Sequence, residues 1–407
     1  MSTPSLPAMA TALSERAVPR GLSVGVSAAE DPADPAGSSG TPASLLSALR
    51  TVVGSAVPIG STPTVRSAQI AVLVGALTAA RPSDLTRIRT SRSRLWTAAQ
   101  VGRPMIAARE RSIRRGIAEA HVDGLVQYGA QFRAPTGFPT VTFQDSTVWG
   151  AVRAYSWPHL RGLAQADVER LAAFEREVYA SSVGCCAATH WVAESLGADF
   201  GIPADMIHVV GVGANHVSPR PDDRDWSTPR FLFIGADWER KNGAALVRAF
   251  RLVREQVPNA TLDIVGAHPP LGEAGVTGHG PLSLADPGDR ERVERLFATA
   301  TVFVLPSVHE PAGIVYVEAA TAGLASIGTT SGGAATLIGD AGRLVDPGST
   351  DQLVEAMVEL ARPEVAERLG ARAHARSELF TWQKVAQRLV RALRLPGVDR
   401  AGLAEFL

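Results

Sequence analysis

Short apolar runs alternate with longer segments of helical period along most of this chain, and the alternation predicts a parallel sheet covered by helices on both faces. From Gly21 the run GLSVGVS reads as a strand. The polar turn segment AEDPADPAGSSGTP follows it, and ASLLSALRTVV then reads as a helix. Residues 64 to 120 carry a largely helical pattern. DGLVQY and PTVTFQD are two further strands, and a helical region from Ser146 to Ser182 leads into a third, GCCAAT. HWVAESLGADFG and MIHVVGVG then read as helix and strand. Residues 216–229 are rich in proline and charge with no apolar period, which places a linker there. After it the pattern restarts, with strands RFLFIGA, ATLDIVGA, TVFVLPS and LASIGTT separated by helices NGAALVRAFRLVREQV, DRERVERLFATA and GIVYVEAATAG.

The chain therefore divides into a loose tail over 1–20, a first Rossmann-like domain over 21–215, a second over 230–380, and a terminal helical stretch over 381–407. That last stretch is expected to cross back to the first domain. Its 407 residues are ample for two cores. Lysine plus arginine and aspartate plus glutamate are 40 each, so no global field argues for nucleic acid as partner. Ten arginines between Arg81 and Arg115 face only Asp84 and Glu110, which suits a solvated helix face, an anionic acceptor or a lipid surface. Cys185 and Cys186 are adjacent in an apolar run without metal-ligand spacing and read as core thiols; no metal site is expected. The opening segment has neither a basic start nor a continuous apolar stretch, and no run of eighteen apolar residues occurs. These features make a cytoplasmic location the expectation.

In open parallel sheets ligands sit beyond the carboxyl ends of strands, so chemistry is expected in the segments after each strand of the second domain. After TVFVLPS, Glu310 and Glu318 bracket a helix start. Glu318 shares a helical face with Ile314 and Ala322, where a carboxylate wants a partner such as ribose hydroxyls. The leading amides of Gly313, Ile314 and Val315 would receive a diphosphate. Equally, both glutamates could be solvated groups favoured by the helix dipole. After FLFIGA, Arg240 and Lys241 stand just before a helix starting near Asn242, where cations oppose the dipole unless an anion is bound. Exposed basic residues beside an Asn cap are the alternative. Gly332 and Gly333 permit either close backbone approach or a tight turn, and Gly40 and Thr41 in the first long loop could touch a phosphate or an acceptor.

Together GADWERKNG, PSVHEPAGIVYVEAATAG, SGG and GRLVDPGS resemble the retaining GT-B glycosyltransferases of the family 4 group, whose E-x7-E signature Glu310 and Glu318 reproduce. The resemblance spans the second domain and reaches back through HWVAESLGADFGIPADMIHVVGVGAN. It implies an α/β fold of two Rossmann-like domains with parallel sheets facing across a cleft, the acceptor on the first and a nucleotide-diphosphate-sugar donor on the second. It implies a hexosyltransferase that retains anomeric configuration and needs neither metal nor other cofactor. Lys241 would contact the diphosphate, Glu318 the ribose, and Glu310 the transferred sugar. Ala236 stands where the family often has arginine, so Arg240 is the substitute; Thr336 stands where an acidic residue is common. No histidine matches the family's first-domain catalytic position, since His121 precedes its strand; Asp145, at the end of PTVTFQD, takes its place as candidate. A sugar-nucleotide epimerase or a silent nucleotide-sugar-binding subunit on the same fold is the alternative. An NAD-dependent oxidoreductase is disfavoured because Gly211 and Gly213 are followed by His216 in place of a third glycine.

Overall fold

In the computed structural model, residues 21–399 are described except 36, 64, 80–101, 155–164 and 219. The N-terminal tail and much of the arginine-rich run lie outside the described residues. The chain forms two compact units, one of Met1–Val210 with Trp382–Leu407 and one of Gly211–Thr381. Among the described residues no helix is long and apolar enough to cross a membrane.

The first unit is built on β1 (Ser23–Ser27), β2 (Ser55–Pro58), β3 (Gly124–Tyr128), β4 (Thr140–Gln144), β5 (Gly184–Ala187) and β6 (Ile207–Val209). They pair in parallel in the order β2-β1-β3-β4-β5-β6. Helices α1 (Thr41–Val52), α2 (Val65–Ala79), α3 (Arg103–Ala120), α4 (Val148–Arg153), α5 (Gln165–Ser181) and α6 (His190–Ala198) follow in chain order. Strand β2 escaped the sequence pattern because SAVP is short, proline-ended and exposed at both ends. Strands β3, β4 and β5 are almost wholly buried, as strands of a parallel sheet covered on both faces should be. Both cysteines are free and buried, and burial pushes the Cys185 thiol up to about 11, so they act as small core hydrophobes.

One buried carboxylate shapes this core. Glu175, on α5, accepts hydrogen bonds from the Val148 amide (3.0 Å) at the start of α4 and from the Tyr179 hydroxyl (3.1 Å). Burial raises its pKa to about 7, against the pull of those two donors. A carboxyl with a folded pKa above its unfolded value contributes most below the unfolded value and progressively less as pH rises toward the folded one. Glu175→Gln should therefore gain stability relative to the wild type as pH rises from 5 to 8, read as the gap between thermal melts. A gap of constant size across that range would show that Glu175 does not titrate there.

The second unit holds β7 (Arg230–Ile234), β8 (Thr261–Val265), β9 (Val276–Gly280), β10 (Val302–Val304), β11 (Ala325–Thr329) and β12 (Gly342–Val345), all parallel in the order β12-β11-β10-β7-β8-β9. Its helices are α7 (Gly243–Gln256), α8 (Pro287–Thr299), α9 (Ile314–Thr321), α10 (Ala334–Ile338), α11 (Thr350–Leu360) and α12 (Pro363–Ser377). The edge strands β9 and β12 were not legible, since edges need no continuous apolar run. Residues 216–229 fall within the range counted with this unit. Arg224 is buried and donates to the carbonyls of Phe297, Ala300 and Ala322, satisfying groups left open where α8 and α9 end. Helix α13 (Trp382–Ala392) packs on α1, β4 and β5 and is counted with the first unit.

Candidate functional site

At the carboxyl ends of β7 and β10, two loops are pinned together by a buried ion pair. The Lys241 ammonium and the Glu310 carboxylate bond directly, and both side chains are buried. The Ser307 hydroxyl donates to the same Glu310 oxygen at 2.9 Å, and the Arg240 guanidinium stands 3.7 Å from it. Burial alone would raise the Glu310 carboxyl, but Lys241, Arg240 and Ser307 together hold it below its ordinary value, so it is ionised. Burial also lowers the Lys241 pKa, an effect that Glu310 counters without cancelling.

This placement corrects the picture of an exposed basic pair. Lys241 lies before α7, with Asn242 as N-cap in the left-handed region (φ 59). Its side chain is buried and turned onto Glu310. Arg240 also donates to the His309 carbonyl at 3.4 Å. It thus lies in the surroundings of Glu310.

The glutamate loop is fastened on its other side to the paired-glycine loop. Glu310 receives a backbone bridge from Gly332, its amide donates to the Ser331 carbonyl (3.0 Å), and Gly333 donates back to its own carbonyl (2.8 Å). Gly332 has φ 108, and a side chain there would collide with the Glu310 carbonyl. Close approach, and not merely a turn, explains this glycine. His309 adds a side-chain clasp, Nδ1 to Ser331 Oγ at 2.9 Å, and burial lowers its pKa to about 4, so it is neutral.

Gly313, with φ 70, is the N-cap of α9, and its amide with those of Ile314 and Val315 leads that helix. Further along α9, Glu318 is half-buried. Its Oε1 accepts from the His216 amide at 3.1 Å, and the Asn215 amide also donates to the carboxylate. Neither glutamate is a freely solvated dipole partner. Burial raises Glu318 to about 7 despite the two amides. Thr336 lies buried on α10, its carbonyl taken by Arg376 (2.7 Å).

In the first unit, Gly40 (φ 78) caps α1, and Thr41 is buried at its start. The Thr41 hydroxyl donates to Tyr128, whose own hydroxyl donates to Asp145 Oδ2 at 2.7 Å. Gly40, Thr41 and Asp145 are thus gathered at one end of the sheet by Tyr128, a residue that carries no signal in the sequence. The parallel register sets Tyr128 opposite Phe143, so Asp145, two residues on, lies diagonally ahead of the phenol. His121 caps the C-terminus of α3 in the left-handed region (φ 51) and stands outside this group. Gly211 and Gly213 open no helix; the next element is β7. Among the described residues no cluster of three or more His, Cys, Asp or Glu side chains could hold a metal ion.

Residues 228–362, which include Arg240, Lys241, Glu310, Glu318 and the paired-glycine loop, match the family model described as glycosyl transferases group 1. The chain carries a glycosyl transferases group 1 domain. A D-inositol 3-phosphate glycosyltransferase of Rhodococcus opacus is 26% identical to it over 264 residues, 58% of this chain and 59% of that one. A GDP-mannose-dependent alpha-(1-6)-phosphatidylinositol monomannoside mannosyltransferase of Mycolicibacterium smegmatis is 29% identical over 221 residues, 48% of this chain and 57% of its own length. The chain thus matches less than two thirds of the length of these curated relatives. Among solved structures, sucrose-phosphate synthase from Thermosynechococcus elongatus superposes with a TM-score of 0.63 at 18% identity, covering 92% of this chain and 98% of that one. The lipopolysaccharide outer core galactosyltransferase WaaB gives 0.53 at 13% identity, over 88% and 98%. At those identities the likeness speaks to fold: two parallel six-stranded sheets covered by helices, the GT-B class expected from the group 1 motifs.

Proposed function

We propose that this protein is a retaining glycosyltransferase that moves a sugar from a nucleotide-diphosphate-sugar to an acceptor hydroxyl. The observation that supports it best is the ionised, buried Glu310 held by Lys241, Arg240 and Ser307 just ahead of α9. An ion pair buried at a loop junction contributes little net stability compared with an apolar contact. Beside the leading amides of Gly313, Ile314 and Val315, however, it is well suited to an anionic leaving group.

In this reading Arg240, Lys241 and the α9 amides take the diphosphate, Glu318 takes the ribose hydroxyls, and Glu310 lies beside the transferred sugar. The anomeric carbon's bond to the diphosphate oxygen breaks, and the nucleoside diphosphate leaves with the electron pair. A bond to the acceptor oxygen forms on the same face of the sugar. Asp145, in the first unit, takes the acceptor hydroxyl's proton, and Gly40 and Thr41 frame its loop. No metal or other cofactor enters the scheme, and the cytoplasm is its proposed setting.

The names of the relatives direct the choice of ligands: a GDP-mannose donor, with inositol phosphate or a glycolipid as acceptor. The test is a thermal-shift panel of GDP-, UDP-, ADP- and TDP-sugars. A donor at a hundred times its dissociation constant should stabilise by about 2.7 kcal/mol. If no nucleotide sugar raises the melting temperature at millimolar concentration, the reading fails.

A further inference from the structure

We propose that Tyr128 is a positioning residue that aims the Asp145 carboxylate at the acceptor hydroxyl and, through Thr41, ties it to the start of α1. The inference rests on the acceptor role assigned to Asp145 above and deepens it. The carboxyl ends of three strands meet here. Thr41 follows the long loop after β1, Tyr128 ends β3, and Asp145 stands one residue past β4. That is the end of a parallel sheet at which ligands bind.

The geometry is directional. The Tyr128 ring packs against Phe143, centroids 5.8 Å apart, and its hydroxyl reaches Asp145. The phenol's single proton goes to Asp145 Oδ2 at 2.7 Å, so in its hydrogen bond with Thr41 the phenol oxygen is the acceptor. The amides of Asp145 itself and of Ser146 also donate to the carboxylate. All these donors are neutral. A lysine or arginine in Tyr128's place would orient the carboxylate too, but its charge would lower the carboxyl pKa and weaken it as a base. Burial instead raises the Asp145 carboxyl above its ordinary range, and Tyr128 moderates that rise. A purely structural tyrosine would need only its ring. This one spends its hydroxyl on a side chain that is itself only partly buried.

The groups facing Asp145 are Tyr128 from β3 and, from α5, Tyr179 with Glu175 bonded to its hydroxyl. Glu175 titrates near 7, so its contribution has to be separated from that of Asp145. The experiment uses the full chain and the nucleotide sugar that gives the largest thermal shift, with water as acceptor, and measures kcat, donor KM and the pH profile. Tyr128→Phe should lower kcat by about 10- to 100-fold with donor KM unchanged. Its acid limb should move to higher pH, because the lost hydrogen bond favoured the carboxylate. The same displacement should appear in a Glu175→Gln background, and Thr41→Val should give a smaller one of the same sign. In an Asp145→Asn background, Tyr128→Phe should add nothing, since the two act as one unit. A wild-type rate for Asp145→Asn would remove the acceptor role of Asp145. A slow Asp145→Asn beside Tyr128→Phe and Thr41→Val variants with the wild-type kcat and acid limb would leave that role standing and overturn the assignment of Tyr128.

Discussion

Lys241→Met should destabilise the ligand-free protein by about 3–5 kcal/mol, the usual cost of removing one partner from a buried ion pair. For a domain of this size that is a fall in melting temperature of roughly 10 °C. A sequence argument gives the opposite sign, because a cation before α7 opposes the helix dipole and its removal should relieve a few tenths of a kcal/mol. The ion pair outweighs the dipole: Glu310 is buried and would lose its principal counter-charge. Two controls identify the mechanism. In the wild type the Glu310 carboxyl is held low, so its pairing contributes above the unfolded pKa and is lost as pH falls through the folded one. Without Lys241 the same carboxyl should be raised by burial, so the stability gap between variant and wild type should narrow toward acid pH. Adding Glu310→Gln to Lys241→Met should recover much of the loss, since no charge is then stranded. If Lys241 holds the donor diphosphate as proposed, glycosyl transfer should fall by at least about 30-fold in Lys241→Met, measured where the fold is intact, as truncating one partner of a desolvated charge pair costs about 2–5 kcal/mol. An unchanged melting temperature together with unchanged transfer would remove Lys241 from both the pair and the donor site.

The contrast between those two signs shows how far the chain could be read by itself. Central strands of both sheets were legible where apolar residues dominate, as in FLFI of β7 and VFV of β10, or alternate with threonine, as in TVTF of β4. Among the edge strands β6 was legible, whereas β2, β9 and β12 (SAVP, VTGHG and GRLV) were not, being short or interrupted by glycine and polar residues. Glu310, Glu318, Arg240 and Lys241 stood out by local spacing at strand ends. Their partnerships did not, because Lys241 meets Glu310 across 69 residues of chain and Glu318 meets the His216 amide across 102. Tyr128 carried no local signal; its position as the last residue of a strand gains meaning only once the register places β4, and hence Asp145, beside it. Arg224 was hidden in a segment whose prolines and charges suggested a linker, although each of its hydrogen bonds closes a gap at a helix end.

Glu318→Gln should change donor affinity and ligand-free stability in opposite directions. Burial sets the Glu318 carboxyl near 7 in the folded protein, well above an exposed glutamate. The folded state therefore keeps a proton that the unfolded state has lost, and the site's contribution to stability declines as pH rises toward and through 7. At pH 8 the glutamine variant avoids that ionisation while its amide oxygen still accepts from the Asn215 and His216 amides, so its ligand-free melting temperature should equal or exceed that of the wild type. Donor binding asks for the charge instead. A carboxylate that accepts from ribose hydroxyls binds through charge-assisted hydrogen bonds, and glutamine should weaken the donor by about 1–3 kcal/mol at pH 8. Toward pH 6 the wild type itself becomes protonated, and the difference in affinity should shrink. Calorimetry at the two pH values supplies both numbers, with proton release on binding in the wild type alone. A donor with 2′-deoxyribose gives the decisive comparison, because two changes that delete the same contact cannot cost twice. If the deoxy donor and the glutamine substitution lower affinity by independent, additive amounts, Glu318 does not hold the ribose, and its anchoring of the Asn215 and His216 amides is its whole role.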